Sequence, residues 1–404
     1  MSTTIWNRPL LVGFRFSFLY FATYMLTGVP VLSQPFREIV RGVVAMLSRW
    51  SGLALEMPSS SGSLGNDFSM AMAALAVAVL GTPLWSWLAR NQTEHERLHV
   101  WLRWAIRYFV LGTMVIYGAA KVMQFGEAPL SQMLQPIGSL TPMGVLWLFM
   151  GTSKGYTLFA GACEMIGGLL MLSPRTTTLG ALVCTGVMSN VWLMNIFYDV
   201  PVKVLSFHLL LMSLFLLLPD ARRLLAFFIL NRAVEASREM PLFANAAMAR
   251  VANVARVLLL IAVLGFTIGL ARFSAREMPA SPLQGAWLVE KFEMNGVARP
   301  ALATDAARWN RVVIDRSGVI AIQKMDATLE RFGMTMEDGG SPASRLKLSK
   351  LGNAKWSAEF QVRPLAGVSS EGLVLTGALD GAEISAWLRK DALPQFPLAA
   401  KRQR

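Results

Sequence analysis

Cysteine, histidine and charge are all scarce in this chain of 404 residues. It has two cysteines and three histidines. Cys163 and Cys184 both lie inside apolar runs and no CxxC occurs, so there is no disulfide framework and no clue to the redox compartment. Charged residues make up only 16%, against 54% hydrophobic, and the mean hydropathy is +0.46. A soluble protein of this length would need an unusually large core to bury so much apolar surface, whereas lipid accepts it directly. The net charge of +13 raises the question of nucleic acid. The basic residues, however, are spread through short loops between apolar runs and form no basic, aromatic-laced groove. Such loops set orientation and meet anionic lipid, so the partner expected is the bilayer and not nucleic acid. No cleavable leader is expected, because the apolar run at 9–32 is too long and no small-residue site follows it.

Crossing hydrocarbon takes roughly 20 apolar residues in a helix. By that measure about seven spans are predicted, at 9–32, 68–89, 100–123, 156–172, 177–197, 204–218 and 251–270. Segments 36–57 and 221–231 mix Arg with apolar residues at helical spacing and read as interfacial helices. The stretch 145–150 either begins the fourth span early or forms a short re-entrant piece. Loops carrying Arg8, Arg90, Arg97, Arg175, Arg222, Arg223, Arg232, Arg238 and Arg250 alternate with loops carrying Arg37, Arg41, Arg49, Lys154 and Lys203. The richer set is placed in the cytoplasm. The N-terminus is then inside and everything after Arg272 lies outside, in the periplasm of a bacterial inner membrane.

The expected fold class is therefore an α-helical integral membrane bundle at 1–275 plus a small all-β domain at 281–398. Alternating strands are predicted at 287–293, 311–315, 319–324, 345–349, 356–363, 372–376 and 383–389. Asn295-Gly296, Ser317-Gly318, Gly352-Asn353 and Asp380-Gly381 punctuate them as hairpin turns. That is an antiparallel meander, closing as a barrel or packing as a sandwich. Gly285-Ala286-Trp287 resembles the G-x-W opening of lipocalins.

His95-Glu96-Arg97-Leu98-His99 matches H-E-x-x-H, which on a helix sets two imidazoles on one face for zinc. A catalytic zinc needs a third protein ligand. The remaining histidine, His208, lies in another span and in the opposite half of the membrane, and no metal site is expected. Inside the bundle, ionisable groups cost a few kcal/mol each (about 2.5–3.5) and usually serve a purpose. Tyr117 and Lys121 stand near the outer end of the third span and Glu164 near the middle of the fourth. Asn195, Tyr198 and Asp199 close the fifth, Lys203 opens the sixth, and His208 lies just deeper. Each has an ordinary explanation as a snorkelling or paired side chain. Together they make a candidate site in the outer half, with Glu164, Lys121, His208, Lys203 and Asp199 as reacting groups and Tyr117, Asn195 and Tyr198 as binding groups. It would hold a polar small molecule or a quinone head, or relay protons. Arg15, Arg103, Arg107 and Arg175 belong to the inner half and are assigned to lipid headgroups or interfacial pairing.

The stretch 107–220 resembles the DoxX family of small four-helix membrane proteins. The residues concerned are Arg107-Tyr108-Phe109-Val110-Leu111-Gly112, Tyr117-Gly118-Ala119-Ala120-Lys121, the run from Gly161 through Glu164, Gly167 and Gly168 to Leu170, and Arg175-Thr176-Thr177. Met194 to Lys203 is similar to a version found in larger DoxX-like proteins. The resemblance implies a subunit of a membrane redox or quinone-linked system, with a quinone as the cofactor to consider and a periplasmic or membrane redox protein as partner. No haem, flavin or iron–sulfur ligand set is visible in the sequence. The alternative is a non-catalytic carrier or assembly module whose β domain captures a lipid or protein outside.

Overall fold

A computed structural model describes residues 6–27, 63–124, 128–236, 245–275, 283–315, 318–337, 344–350, 353–364 and 372–393, with isolated positions between 38 and 49 and at 396 and 399. The interfacial helix expected at 36–57 lies outside the described residues. The chain divides into two compact units, one of Met1–Gln124 with Gly155–Ala271, the other of Phe125–Lys154 with Arg272–Arg404.

The first unit is helical. Its elements are α1 (Arg8–Thr27), α2 (Ser63–Leu88), α3 (Glu96–Gln124), then α6 (Lys154–Leu170), α7 (Thr177–Phe197), α8 (Lys203–Leu217), the short α9 (Ala221–Phe228) and α10 (Ala246–Ala275). Among the described residues, five stretches are long and apolar enough to cross a membrane: Arg8–Thr27, Phe68–Leu88, Pro174–Phe197, Lys203–Phe228 and Ala246–Gly269. Two further helices coincide with expected spans without meeting that measure. One is α3, which carries Arg103, Arg107 and Lys121 along its length, and the other is the 17-residue α6. The α6–α7 turn is built locally. Pro174 opens a 3-10 turn, the Ser173 hydroxyl accepts from the Arg175 amide, and Thr176 and Thr177 hydroxyls return to the Leu170 and Ser173 carbonyls.

Glycine sets the spacing of the central helices. A Cβ added at Gly118 of α3 would stand 2.5 Å from the Gly161 carbonyl oxygen of α6, and one at Gly168 would meet Leu111 and Met114. On the other side of α6, Gly167 lies against Cys184, and Gly180 of α7 against the Gly167 carbonyl. Backbones approach to contact along both seams, as small residues permit where lipid supplies no hydrophobic drive.

The second unit is an eight-stranded antiparallel barrel. Its strands are β1 (Gly285–Met294), β3 (Trp309–Ile314), β4 (Val319–Lys324), β5 (Leu329–Glu337), β6 (Ser344–Lys350), β7 (Asn353–Pro364), β8 (Gly372–Leu379) and β9 (Ala382–Lys390). Each pairs with its neighbour and β9 closes on β1, while the two-residue β2 (Val297–Ala298) only extends β1. Bulges between Val289 and Lys291 and between Trp309 and Arg311 supply the bending that closure demands. Asn295, Gly296, Asp380 and Gly381 all take positive φ, as the expected two-residue hairpins require. Inward residues alternate strictly: Ile320 and Ile322, Leu346 and Leu348, Phe360 and Val362, Leu373 and Leu375. Trp287 and Trp309 join them, and the Trp287 indole donates to the Leu283 carbonyl at 2.8 Å. The barrel resolves the choice between barrel and sandwich. Strand β5 was not anticipated from the sequence.

This unit also takes in the segment between α3 and α6, which holds α4 (Leu130–Met133) and α5 (Pro142–Thr152). Thr141 caps α5 by accepting from the Gly144 amide, and the helix ends at Ser153, separate from α6. Outward-facing Ala286, Val313 and Ala321 leave a shallow apolar patch on the barrel wall, and Leu130, Leu134, Leu393 and Ala399 cover it. Polar bonds ring the contact. The Ser131 hydroxyl donates to Asp315 at 2.6 Å, the Gln323 amide to the Leu134 carbonyl at 2.9 Å, and Arg331 to Gln135 at 2.7 Å.

Asp315 is nearly fully buried here, and burial raises its pKa despite the bonds from Ser131. The folded state therefore holds this proton more tightly than the unfolded chain, and the Asp315 contribution to stability falls as pH rises from the usual carboxylate pKa through the raised one. Asp315→Asn in the full chain should flatten that part of the stability–pH curve. Unfolding midpoints of barrel tryptophan fluorescence between acid and neutral pH measure it; an unchanged slope contradicts the assignment.

Candidate functional site

The face of α6 that meets α3 carries Gly161, Glu164 and Gly168, at positions i, i+3 and i+7. The answering face of α3 carries Leu111, Met114, Gly118 and Lys121 at the same spacing. Because Gly118 and Gly161 hold the two backbones in contact, the Lys121 ammonium reaches Glu164 Oε1 across the seam. Glu164 is fully buried and Lys121 nearly so. The second carboxylate oxygen, Glu164 Oε2, is buried and has no hydrogen-bond partner among the described residues. A half-satisfied carboxylate in so apolar a setting is expensive, and it marks this pair as the most demanding feature of the bundle.

The other sequence-predicted residues fall into separate groups. Lys203 pairs with Asp199, one turn away, where the Asp199 side chain is largely solvent-exposed. Tyr198 is exposed beside them. Asn195 is buried and donates to the Ser206 hydroxyl at 3.0 Å. Tyr117 is half-buried one turn before Lys121. His208 turns to α1. Its Nδ1 lies 2.7 Å from the Val204 carbonyl, which can only accept, so Nδ1 carries the proton and Nε2 accepts from the Tyr20 hydroxyl at 2.7 Å. Tyr24 stacks on the same imidazole, ring centres 3.8 Å apart and nearly parallel. Sequence reading missed Tyr20 and Tyr24, although their spacing of four residues in an apolar helix was a usable signal. Cys163 and Cys184 are both free thiols, and Cys184 is packed under Gly167.

The two H-E-x-x-H histidines pack among the aromatic rings of Trp6 and Phe14. His95 Nε2 accepts from Arg15 Nε at 3.0 Å. Burial, and then the neighbouring Arg15 charge, lower the His95 pKa and keep the imidazole neutral. Among the described residues there is no group of three metal-ligating side chains.

Three of the arginines assigned to lipid or interfacial pairing have another role. Arg15 donates to the Ala89 carbonyl after α2, Arg107 to the Met171 and Leu172 carbonyls after α6, and Arg103 to the Leu216 carbonyl near the end of α8. Each satisfies carbonyls that a helix C-terminus leaves open and places a cation at the negative end of its dipole. Arg175 remains exposed.

No protein-family model matches the chain, and no solved structure does. Its sequence is 36% identical over 126 residues to the uncharacterized protein YwoB of Bacillus subtilis (strain 168), a stretch covering 30% of this chain and 79% of that protein. This chain belongs to the YwoB family. The relative's name assigns no activity, so family membership leaves the chemistry to be argued from the pair itself.

Removing one partner of a buried ion pair strands the other charge. Glu164→Gln should therefore cost roughly 3–5 kcal/mol, read as detergent-solubilised thermal stability. The double variant Glu164→Gln, Lys121→Met should recover most of that loss. A single variant as stable as the parent would show that the pair is not buried in the native bundle.

Proposed function

We propose that this is a multi-pass inner-membrane protein whose seven-helix bundle binds the hydroxyl-bearing head of a lipophilic molecule, a quinol, at the Lys121–Glu164 pair. The protein would serve as a subunit of a membrane redox system. The observation that carries the reading is Glu164 Oε2, a buried acceptor with no donor among the described residues. A quinol hydroxyl supplies that donor, and a carboxylate already held by an ammonium is suited to take the proton when the quinol is oxidised. The DoxX-like pattern around Gly118, Lys121, Glu164 and Gly168 supports the same assignment. Electrons would leave through a partner protein, the redox partner expected from the sequence.

The topology that goes with this reading has the N-terminus in the cytoplasm and the barrel in the periplasm. The loop arginines argue for which side is inside, and two observations support the order of crossings. The segment 130–135 bonds to the barrel, so both lie on one side, and an even number of crossings must separate them; α6, α7, α8 and α10 make four. Arginines near the starts of α1 and α3 cap the ends of α2, α6 and α8, as antiparallel neighbours require. A second reading, an assembly module with a partner-binding barrel, draws on the same docked segment, which shows that the barrel wall accepts an apolar helix rimmed by hydrogen bonds.

Reporter fusions after Thr93, Thr176, Arg238 and Lys390 test the topology. Alkaline phosphatase should be active only at the last, and inactivity there rejects it. For the ligand, a decyl-chain hydroquinone should bind the purified full chain and bind the charge-neutral double variant at least tenfold more weakly, the loss of one charge-assisted hydrogen bond. Equal binding to both removes the quinol site.

A further inference from the structure

A second site lies between α3 and α10, away from the ion pair. A cavity of about 530 Å³ opens there, lined almost wholly by apolar surface from Trp104, Tyr108, Met248, Val251, Ala255 and Leu259. That is within the range of small-molecule sites. Alanines at 247, 252 and 255 leave the space unfilled on the α10 side. The cavity is not neutral. Arg256 forms part of its wall, with its guanidinium carbon 4.9 Å from the centre of the Trp104 ring. Arg107 stands 5.0 Å from the same ring centre. The two guanidinium carbons are thus within about 10 Å of each other in a medium of low dielectric, where like charges repel strongly.

Arg256 is incompletely satisfied. Its Nη1 donates to Asn253 at 2.8 Å, but its Nε is buried and without a hydrogen-bond partner among the described residues. No described carboxylate forms an ion pair with it. An apolar cavity with a buried, unpaired guanidinium donor at its wall calls for an anion attached to a hydrocarbon chain. The residues flanking it on α10, Val254, Val257 and Leu258, are exposed, so the site faces whatever surrounds the helix.

We propose that this cavity seats one anionic glycerophospholipid, with its phosphate on the Arg256 guanidinium and an acyl chain running deeper against Tyr108 and Leu259. The inference rests on the reading of the chain as a membrane protein, and not on the quinol site. The phosphate satisfies the orphaned Nε–H and offsets the repulsion from Arg107, while Trp104 holds both guanidiniums by cation–π contact. A neutral quinone would leave the repulsion standing, and a zwitterionic lipid would bring a further cation to it.

The test uses the purified full chain, native mass spectrometry, and phosphatidylglycerol and phosphatidylcholine of equal chain length. One phosphatidylglycerol should stay bound per chain, with at least tenfold preference over phosphatidylcholine. Arg256→Gln should abolish the preference, and Arg256→Lys, which keeps the charge, should retain most of it. Leu259→Trp, which fills the cavity and leaves both arginines, should weaken phosphatidylglycerol binding about tenfold. Equal retention of the two lipids, or undiminished binding by both Arg256→Gln and Leu259→Trp, overturns the proposal. Recovery of the parent chain in the membrane fraction, measured separately, tests the membrane reading itself.

Discussion

Where Gly118 lies on Gly161 there are no side chains to keep two helices apart, and their backbones touch. At that point of contact there is no room for water or lipid. A carboxylate on that seam must find its counter-charge on the opposite helix or remain protonated. Lys121 stands one turn beyond the contact, close enough for a flexible stem to reach Glu164. The glycines, the ion pair and its unmet oxygen therefore form one arrangement. Adding a methyl group at Gly118 or Gly168 would push α3 from α6 and pull the ammonium away from the carboxylate.

The opposite ends of the same helices meet a different demand. A helix that stops inside or near hydrocarbon leaves carbonyls that nothing apolar can satisfy. Arg15, Arg103 and Arg107 each enter from a neighbouring helix and take those carbonyls. The positive charge that looked like a lipid-facing excess is in part internal carpentry. Arg107 does two things at once, since it caps α6 while its face rests on Trp104.

How much of this was legible in the sequence follows from how local each signal was. The apolar runs and the Asn295-Gly296 and Asp380-Gly381 turns depend on adjacent residues, and the structure carries helices and positive-φ hairpins at those places. Strand β5 escaped because Leu329 and Glu330 open it out of phase, an apolar residue on the outer face and a charged one on the inner, before Phe332, Met334 and Met336 take up the inner face. The meeting of Lys121 with Glu164 was readable from depth and charge. The turning of His208 toward Tyr20 was not, because nothing in α8 records which neighbour lies beside it. Likewise the His95–Arg15 bond joins residues 80 positions apart, so nothing beside His95 in the sequence records what its imidazole holds. Least legible was the docking of 130–135 on the barrel, whose sign is only that Ala286, Val313 and Ala321 are apolar on a face that alternation assigns to solvent.

That docking sets an order on how the protein is made. Ser131 and Asp315 are separated by 184 positions, and α6, α7, α8 and α10 must all be synthesised between them. Leu130 and Leu134 leave the ribosome long before the strands they cover exist. The barrel, with a last strand that must find its first, is the slow, non-local part of the chain. When it closes, it does so beside a segment already tethered at both ends by helices, which lowers the entropy of that last encounter. The inter-helix segment thus serves as a fixed landing strip, and a chain whose barrel fails to close would be left with an apolar helix uncovered.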